Sequence, residues 1–487
     1  MYSQTHSAPI AGVRSLHRLG ACTLILMAAL GANFLWASWH NEQRCIELLA
    51  LAACVLLFVM RGGVARTVAA LPRPAGICLS VFFLLGLAST VQAYSLRYAA
   101  YEWSILFLLL LTAAGVADEF RRAGTDGRQH VLQLLGMIGV LYSLRVLLNY
   151  SAHLQIGTAI DMHRLAVGFG NARFLNHTQT ALLPLIVLLC LRAAKGSLMR
   201  RVWFALAAFW WALIYVSEAR ATILGLAAGC AAAYLLRGRH AHGYLKTILA
   251  TALAGAIVHV LGFILLPMLA GLPPVSLPAT VVERTVADPT SSRTLLWHLA
   301  LRLIAEQPWL GVGPHHFAHY GASLYVGAHP HDWMMQIGAE WGLPALLCLL
   351  GAMALGFRGL VRSGARIATA DLPNQQMLVA LLVATAAIFV DALFSGVIVM
   401  PQSQLAVALV IGCGFGWTGS LDGTMKTARP TVLRYVLAIL AVTAMGVLAW
   451  SVAPNLVRQA HNAALTPAER ALNPTTQWPR LWEAGYF

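Results

Sequence analysis

The sequence predicts an all-α, polytopic transmembrane helical bundle of about 12–13 spans, and three observations carry that reading. Of 487 residues, 59% are hydrophobic and only 10% charged, too little polar surface to clothe a soluble globule. Mean hydropathy is +0.71 over the whole length. Apolar runs close to the ~20 residues that cross a hydrocarbon core recur along the chain with short polar breaks.

Thirteen spans are expected near 19–39, 45–60, 75–93, 102–117, 131–150, 177–194, 203–218, 220–236, 247–271, 341–357, 377–394, 399–417 and 433–451. Together they make one integral membrane domain over 1–487, set in a phospholipid bilayer. The first apolar run leads into an aromatic-rich stretch and not a small-residue cleavage site, so it is expected to stay as an anchor. With a cytoplasmic N-terminus, 21 of the 33 Lys and Arg residues fall on inside segments and 11 outside, leaving Arg145 within a span. That bias is the positive-inside signature.

The net charge of +15 is spread over many short loops, which reads as topology and not as a nucleic-acid surface. The eight cysteines lie in or beside apolar spans without a Cys-x-x-Cys pair, so neither a disulfide framework nor a thiolate metal site is expected.

In lipid, irregular backbone is confined to loops and span ends, where function should sit. Most connections are short. The exceptions, all on the outside, are 151–176, a long loop at 272–340 and a tail at 452–487; long loops in a compact protein are usually functional. Pro273-Pro274 and Pro278 predict an extended entry to the long loop, and 291–307 reads as a helix stopped by Pro308. Thr294, His298 and Arg302 share one face of it, with Leu295, Leu299 and Leu303 opposite.

Outward-facing polar residues are mostly cations and histidines: Arg164, Arg173, Asn176, His177 and Gln179 in one loop, Glu218 and Arg220 at a tight turn, Arg293 and His331-Asp332 in the long loop. Guanidinium forks hold phosphate oxygens, and a titratable ring moves a proton, so this set suits a diphosphate-bearing substrate at the membrane surface. Arg220 interrupts an apolar run long enough for two spans, which marks it as the outer turn; the alternative is a topology charge steadied by Glu218.

At these residues the chain resembles the bacterial O-antigen ligase and polymerase superfamily. Arg220-Ala-Thr-Ile-Leu224 matches its Arg-x-x-x-Leu element. His331-Asp332, with Gly342 downstream, is similar to its His-(Asn/Ser/Gln)-x9-Gly element. Ser292-Arg293…Trp297, Pro308-Trp-Leu-Gly-Val-Gly313 and Gln336…Glu340-Trp341-Gly342 look like the same core. Departures are Asp332 in place of Asn, expected to raise the pKa of His331, Ala345 in place of a second glycine, and thirteen spans against a typical twelve.

The resemblance implies an inverting, metal-independent and cofactor-free transfer of a glycan from undecaprenyl diphosphate to lipid A–core or another hydroxyl acceptor, at the periplasmic side of a bacterial inner membrane. It makes His331 and Arg220 the catalytic candidates. Arg293, Arg173, Arg302, Asp332 and Glu218 are the candidate diphosphate or glycan contacts. A repeat-unit polymerase or a protein O-oligosaccharyltransferase shares this chemistry; the short tail disfavours the latter. Two readings of another class are a polysaccharide or lipid-linked sugar transporter, against which no paired broken helices are seen, and zinc held by His315, His316, His319, His329 and His331, a weak motif without a firm third ligand. Gly168-Phe-Gly170 and Gly311-Val-Gly313 read as turns. Arg145 and Asp391 read as snorkelling charges at outer span ends.

Overall fold

The computed structural model describes residues 40–277, 293–322, 327–421 and 431–466, with isolated positions 25, 30, 286, 468, 469, 480, 486 and 487. No strand occurs among them, so the all-α expectation holds. The expected span at 19–39 lies outside the described residues; each of the other twelve corresponds to a helix.

In chain order these are α1 (His40–Met60), a short α2 (Gly63–Ala70), α3 (Arg73–Gln92), α4 (Leu96–Arg122), α5 (Gly124–Ile156), α6 (Ala172–Arg192), α7 (Leu198–Val216), α8 (Arg220–Arg237) and α9 (His242–Val258). A single 3-10 turn, Gly238–Ala241, separates α8 from α9, and α9 runs on through a π-helical stretch, His259–Leu265, to Leu269. The long loop holds α10 (Arg293–Glu306), a one-turn helix at Phe317–Gly321 and α11 (Trp333–Trp341). Then come α12 (Leu343–Ser363), α13 (Leu372–Asp391), α14 (Pro401–Leu421) and α15 (Thr431–Ala464). The last span therefore continues well past 452, where the tail was expected to begin.

Two pairs of spans approach most closely, and both do so through Gly-x-x-x-Gly. Gly412 and Gly416 of α14 lie on the Ala113 and Ala117 carbonyls of α4, while Gly225 and Gly229 of α8 lie on the Ala387 and Val383 carbonyls of α13. Lipid offers little hydrophobic drive for helix pairing, so dispersion contacts from close backbone approach take its place. The second pair matters for the site, because it sets the start of α8, with Arg220, against the end of α13, with Asp391. Helix α6 is buried along most of its length and carries Pro184 in its interior; the Pro184 carbonyl accepts a hydrogen bond from Tyr244 Oη at 2.8 Å.

Helix α10 buries Leu296, Leu299, Ala300 and Leu303. The expected apolar face is thus rotated, with Leu296 inside and Leu295 46% exposed. These side chains join Val312, Phe317 and Ala339 in a small core of the loop itself, so the loop is a packed cap and not a loose strap.

Candidate functional site

The cap is fastened by a backbone clasp between the two glycine-rich motifs. Val312 N–H donates to the Ala339 carbonyl at 2.8 Å, Gly313 N–H to Glu340 at 3.0 Å, and Leu343 N–H to Pro308 at 2.8 Å. Gly311, Gly313 and Gly342 all have positive φ, of 69°, 112° and 86°. A β-carbon at Gly342 would overlap the Trp309 carbonyl, and one at Gly311 the backbone of Glu340. Only glycine permits both the left-handed turn and the approach. The segment 308–313 is a turn, as expected, and its partners are the end of α11 and the start of α12.

From the clasp α11 leads back to His331. Trp297 Nε1 of α10 donates to the Pro330 carbonyl at 3.2 Å, and His331 N–H donates to His329 Nδ1 at 3.3 Å. The two imidazoles stand 4.0 Å apart between centroids. Asp332 caps α11, its carboxylate accepting from Met334 and Met335 N–H at 2.8 and 3.0 Å. This corrects the expectation for Asp332: the carboxylate satisfies helix donors and does not raise the pKa of His331.

The backbone at His331 is left-handed, φ 56°, as at Glu218 (54°) and His315 (71°), the non-glycine residues with positive φ among those described. Each is strained by its β-carbon, and such strain persists where surrounding structure over-determines it, often at functional sites.

The His331 ring is held well below the ordinary imidazole range, to about 3, first by burial and then by Arg293, the His177 imidazole and Arg173. His329 is lowered by burial, then by His331, Arg480, His177 and Arg293. Both rings are therefore neutral at physiological pH. Arg173 stands in the first turn of α6, where Asn171 accepts from its N–H at 2.9 Å; His177 follows one turn later and is buried. Arg293 opens α10. Two elements distant in sequence, α6 and α10, thus bring cationic or imidazole groups to one histidine.

Arg220 is half-buried at the first turn of α8, its N–H donating to the Glu218 carbonyl at 2.9 Å. Two residues on, Thr222 donates to Asp391 Oδ2 at 3.2 Å, and Thr180 of α6 donates to the same oxygen. Asp391 is fully buried and lies within the electrostatic reach of Arg293. It is not a snorkelling charge: hydroxyls from two neighbouring helices hold it inside the bundle. Arg302, by contrast, pairs with Glu306 at 3.8 Å on the 65%-exposed face of α10 and is not among the charges acting on His331.

The other loop histidines form a separate group. His315 faces Glu102 of α4 at 3.7 Å. His316 has both nitrogens engaged, Nε2 accepting from Ser95 N–H and Nδ1 donating to the Pro314 carbonyl, each at 2.8 Å. Burial holds both rings near 4. The tail residue Arg480 sits between Glu340 and Glu102, with Nη2–Oε2 of Glu340 at 2.7 Å and Glu102 at 3.6 Å. Its own carbonyl accepts from Arg44 Nη2 at 2.7 Å. No group of three metal-capable side chains is gathered among the described residues.

Reading the sequence alone named His177 only within the outward-facing polar set, Glu340 only within a motif and Asp391 only as a snorkelling charge, and passed over Glu102 and Arg480. His177 stood in the right loop. Asp391 could have been found as a carboxylate in a span without a lysine or arginine near it in sequence.

Comparison with curated proteins gives no match. Residues 204–350, under a third of the chain, match the family model Wzy_C, described as O-antigen ligase, and this stretch runs from α7 through Arg220, Arg293 and His331 into α12. It is accordingly the O-antigen ligase superfamily that this chain resembles, over a stretch that includes His331 and Arg293.

Proposed function

We propose that this chain is a multi-pass inner-membrane glycosyltransferase that moves a glycan from undecaprenyl diphosphate to a hydroxyl of lipid A–core at the periplasmic surface. The observation that carries the proposal is a neutral, strained His331 surrounded by Arg293, Arg173 and His177. In the step envisaged, the acceptor hydroxyl oxygen bonds to the anomeric carbon while the bond from that carbon to the diphosphate oxygen breaks on the opposite face. The configuration inverts. His331 takes the hydroxyl proton, and the electron pair leaves with the lipid diphosphate.

The electrostatics support these roles. Positive neighbours keep the ring free of a proton in the absence of substrate, so it is available as a base. When a diphosphate occupies the arginines its negative charge offsets theirs, and His331 becomes more basic as the leaving group is bound. Guanidinium groups then meet the charge that grows on the leaving oxygen. No step in this scheme asks for a metal; the matching of charge is by protein cations.

The test uses purified protein with a lipid-diphosphate glycan and lipid A–core. Transfer that is lost in His331→Ala while the donor still binds supports the assignment; unchanged turnover overturns it. A deletion strain distinguishes acceptors: uncapped core with accumulated lipid-linked glycan supports the reading, whereas capped core with unglycosylated protein, or with only single repeat units, replaces it.

A further inference from the structure

A cavity of about 2560 Å³ runs along the bundle between α2–α4 on one side and α12, α14 and α15 on the other. It far exceeds the ~300–1000 Å³ of ordinary small-molecule sites. Glu102, Trp333 and Gln336 line it at the end that carries the long loop, and its middle is apolar, with side chains such as Leu79, Phe107 and Ile411. A lipid is the ligand whose shape suits such a groove.

At the far end the lining turns strongly basic. Arg66, Arg121 and Arg122 all converge on the single buried carboxylate of Asp118, at 2.6, 2.8 and 3.6 Å. One negative charge therefore faces three positive ones. Arg61 pairs with Glu119 at 3.9 Å, and Arg434 reaches the Met60 carbonyl from α15. Arg358, Arg362 and Arg366 lie at i, i+4 and i+8 on the last turns of α12 and just beyond it, and all three are exposed. That spacing puts them on one face. All eight arginines line the cavity, against two carboxylates.

We propose that this end of the groove is a binding site for an anionic phospholipid of the adjoining leaflet, with its acyl chains in the apolar part and its phosphate on the arginines of α12, α15 and the Asp118 cluster. A lipid with two phosphates fits best. Basic pockets between transmembrane helices recognise such headgroups, whereas a general topology bias would not concentrate charge along one cavity or aim three guanidinium groups at one buried carboxylate. The proposal is independent of the transfer chemistry at His331, which lies at the opposite end of the groove.

The experiment measures lipid binding and thermal stability of the full chain, delipidated in neutral detergent, using tetraoleoyl cardiolipin, dioleoyl phosphatidylglycerol, dioleoyl phosphatidylethanolamine and inorganic phosphate as separate probes. Cardiolipin should bind most tightly and raise Tm, phosphatidylglycerol should do so less, and the other two should not. Attraction of about 1 kcal/mol per basic side chain corresponds to about fivefold, so R358Q with R362Q should weaken cardiolipin binding by roughly 30-fold. R200Q with R201Q, at the same end of the bundle but outside the cavity, should leave it unchanged. Equal stabilisation by phosphatidylethanolamine, or by phosphate alone, would overturn the proposal in the unmodified protein, whatever the variants do. An equal loss in the R200Q/R201Q control, or none in R358Q/R362Q, would also overturn it.

Discussion

The segment 327–332 and the segment 314–319 belong to the same loop and are both rich in histidine, yet their electrostatic surroundings are opposite. The charged groups acting on His331 are Arg293, Arg173 and a further imidazole, all of which disfavour a proton. Around His315, Arg480 stands among Glu102 and Glu340, and the influences that follow burial and Arg480, all from these two carboxylates, favour the proton. In the first region every charged influence on the ring disfavours a proton, and an incoming anion would act in the opposite sense. The second is internally paired and fixes the tail to the bundle. A histidine-rich stretch is therefore not one electrostatic unit; the sign of what surrounds each ring separates the proposed reaction centre from a fastening.

Variants can break that contrast. His331→Ala is expected to have the largest effect, lowering kcat for transfer by ~10² to 10⁴-fold with donor affinity retained, the usual scale for a positioned general base. Steady-state transfer together with donor binding checks this, and a loss confined to KM would point to a binding role instead. Arg220→Lys is expected to cost roughly 10²-fold if, as proposed, Arg220 meets leaving-group charge, since a point charge then replaces a planar fork. Near-normal turnover at equal expression would mark Arg220 as a topology charge only.

In the paired region the loss should appear as stability. Glu340→Gln removes the partner of a buried guanidinium, and breaking such a pair costs about 3–5 kcal/mol. A lowered Tm with turnover largely kept in the surviving folded fraction is the expected result; full stability with lost turnover would move Glu340 into the reaction centre.

A smaller effect sharpens the comparison further. Arg293→Gln removes a positive charge that depresses His331, so the protonated ring becomes less disfavoured and its pKa rises from about 3. The acid limb of kcat/KM should move to higher pH by the same shift, and a profile that stays in place or moves to lower pH would remove Arg293 from the surroundings of His331. Arg302→Gln should change little, within about 0.5 kcal/mol in stability, because its side chain pairs only at an exposed surface. A loss of transfer there would show that substrate reaches the outer face of α10.

Much of the fold could be read in one dimension. Burial in lipid demands long apolar helices, so the spans follow from local composition alone, and the basic residues between them order the ends. The same is true of the motif residues: Arg220 stands out because charge is costly in an apolar run, and glycines 311, 313 and 342 stand out because turns need them. Helix phase was less legible. Leu295 and Leu296 are equally apolar, and which of them faces inward depended on Val312 and Phe317, brought from further along the loop.

Sequence by itself determined that the chain is a membrane-spanning helical protein and singled out one long loop between its spans, because hydrophobic length and the cost of buried charge are local properties. Only the tertiary structure decided that Arg173 and His177 of α6 and Arg293 of α10 act on His331, that Asp391 is an interior carboxylate held by Thr180 and Thr222, and that Arg480 locks Glu340. Those pairings join residues tens to hundreds of positions apart. They are set by how α6, α8 and α13 pack, where glycines admit close backbone approach, and no local rule states which helix will meet which.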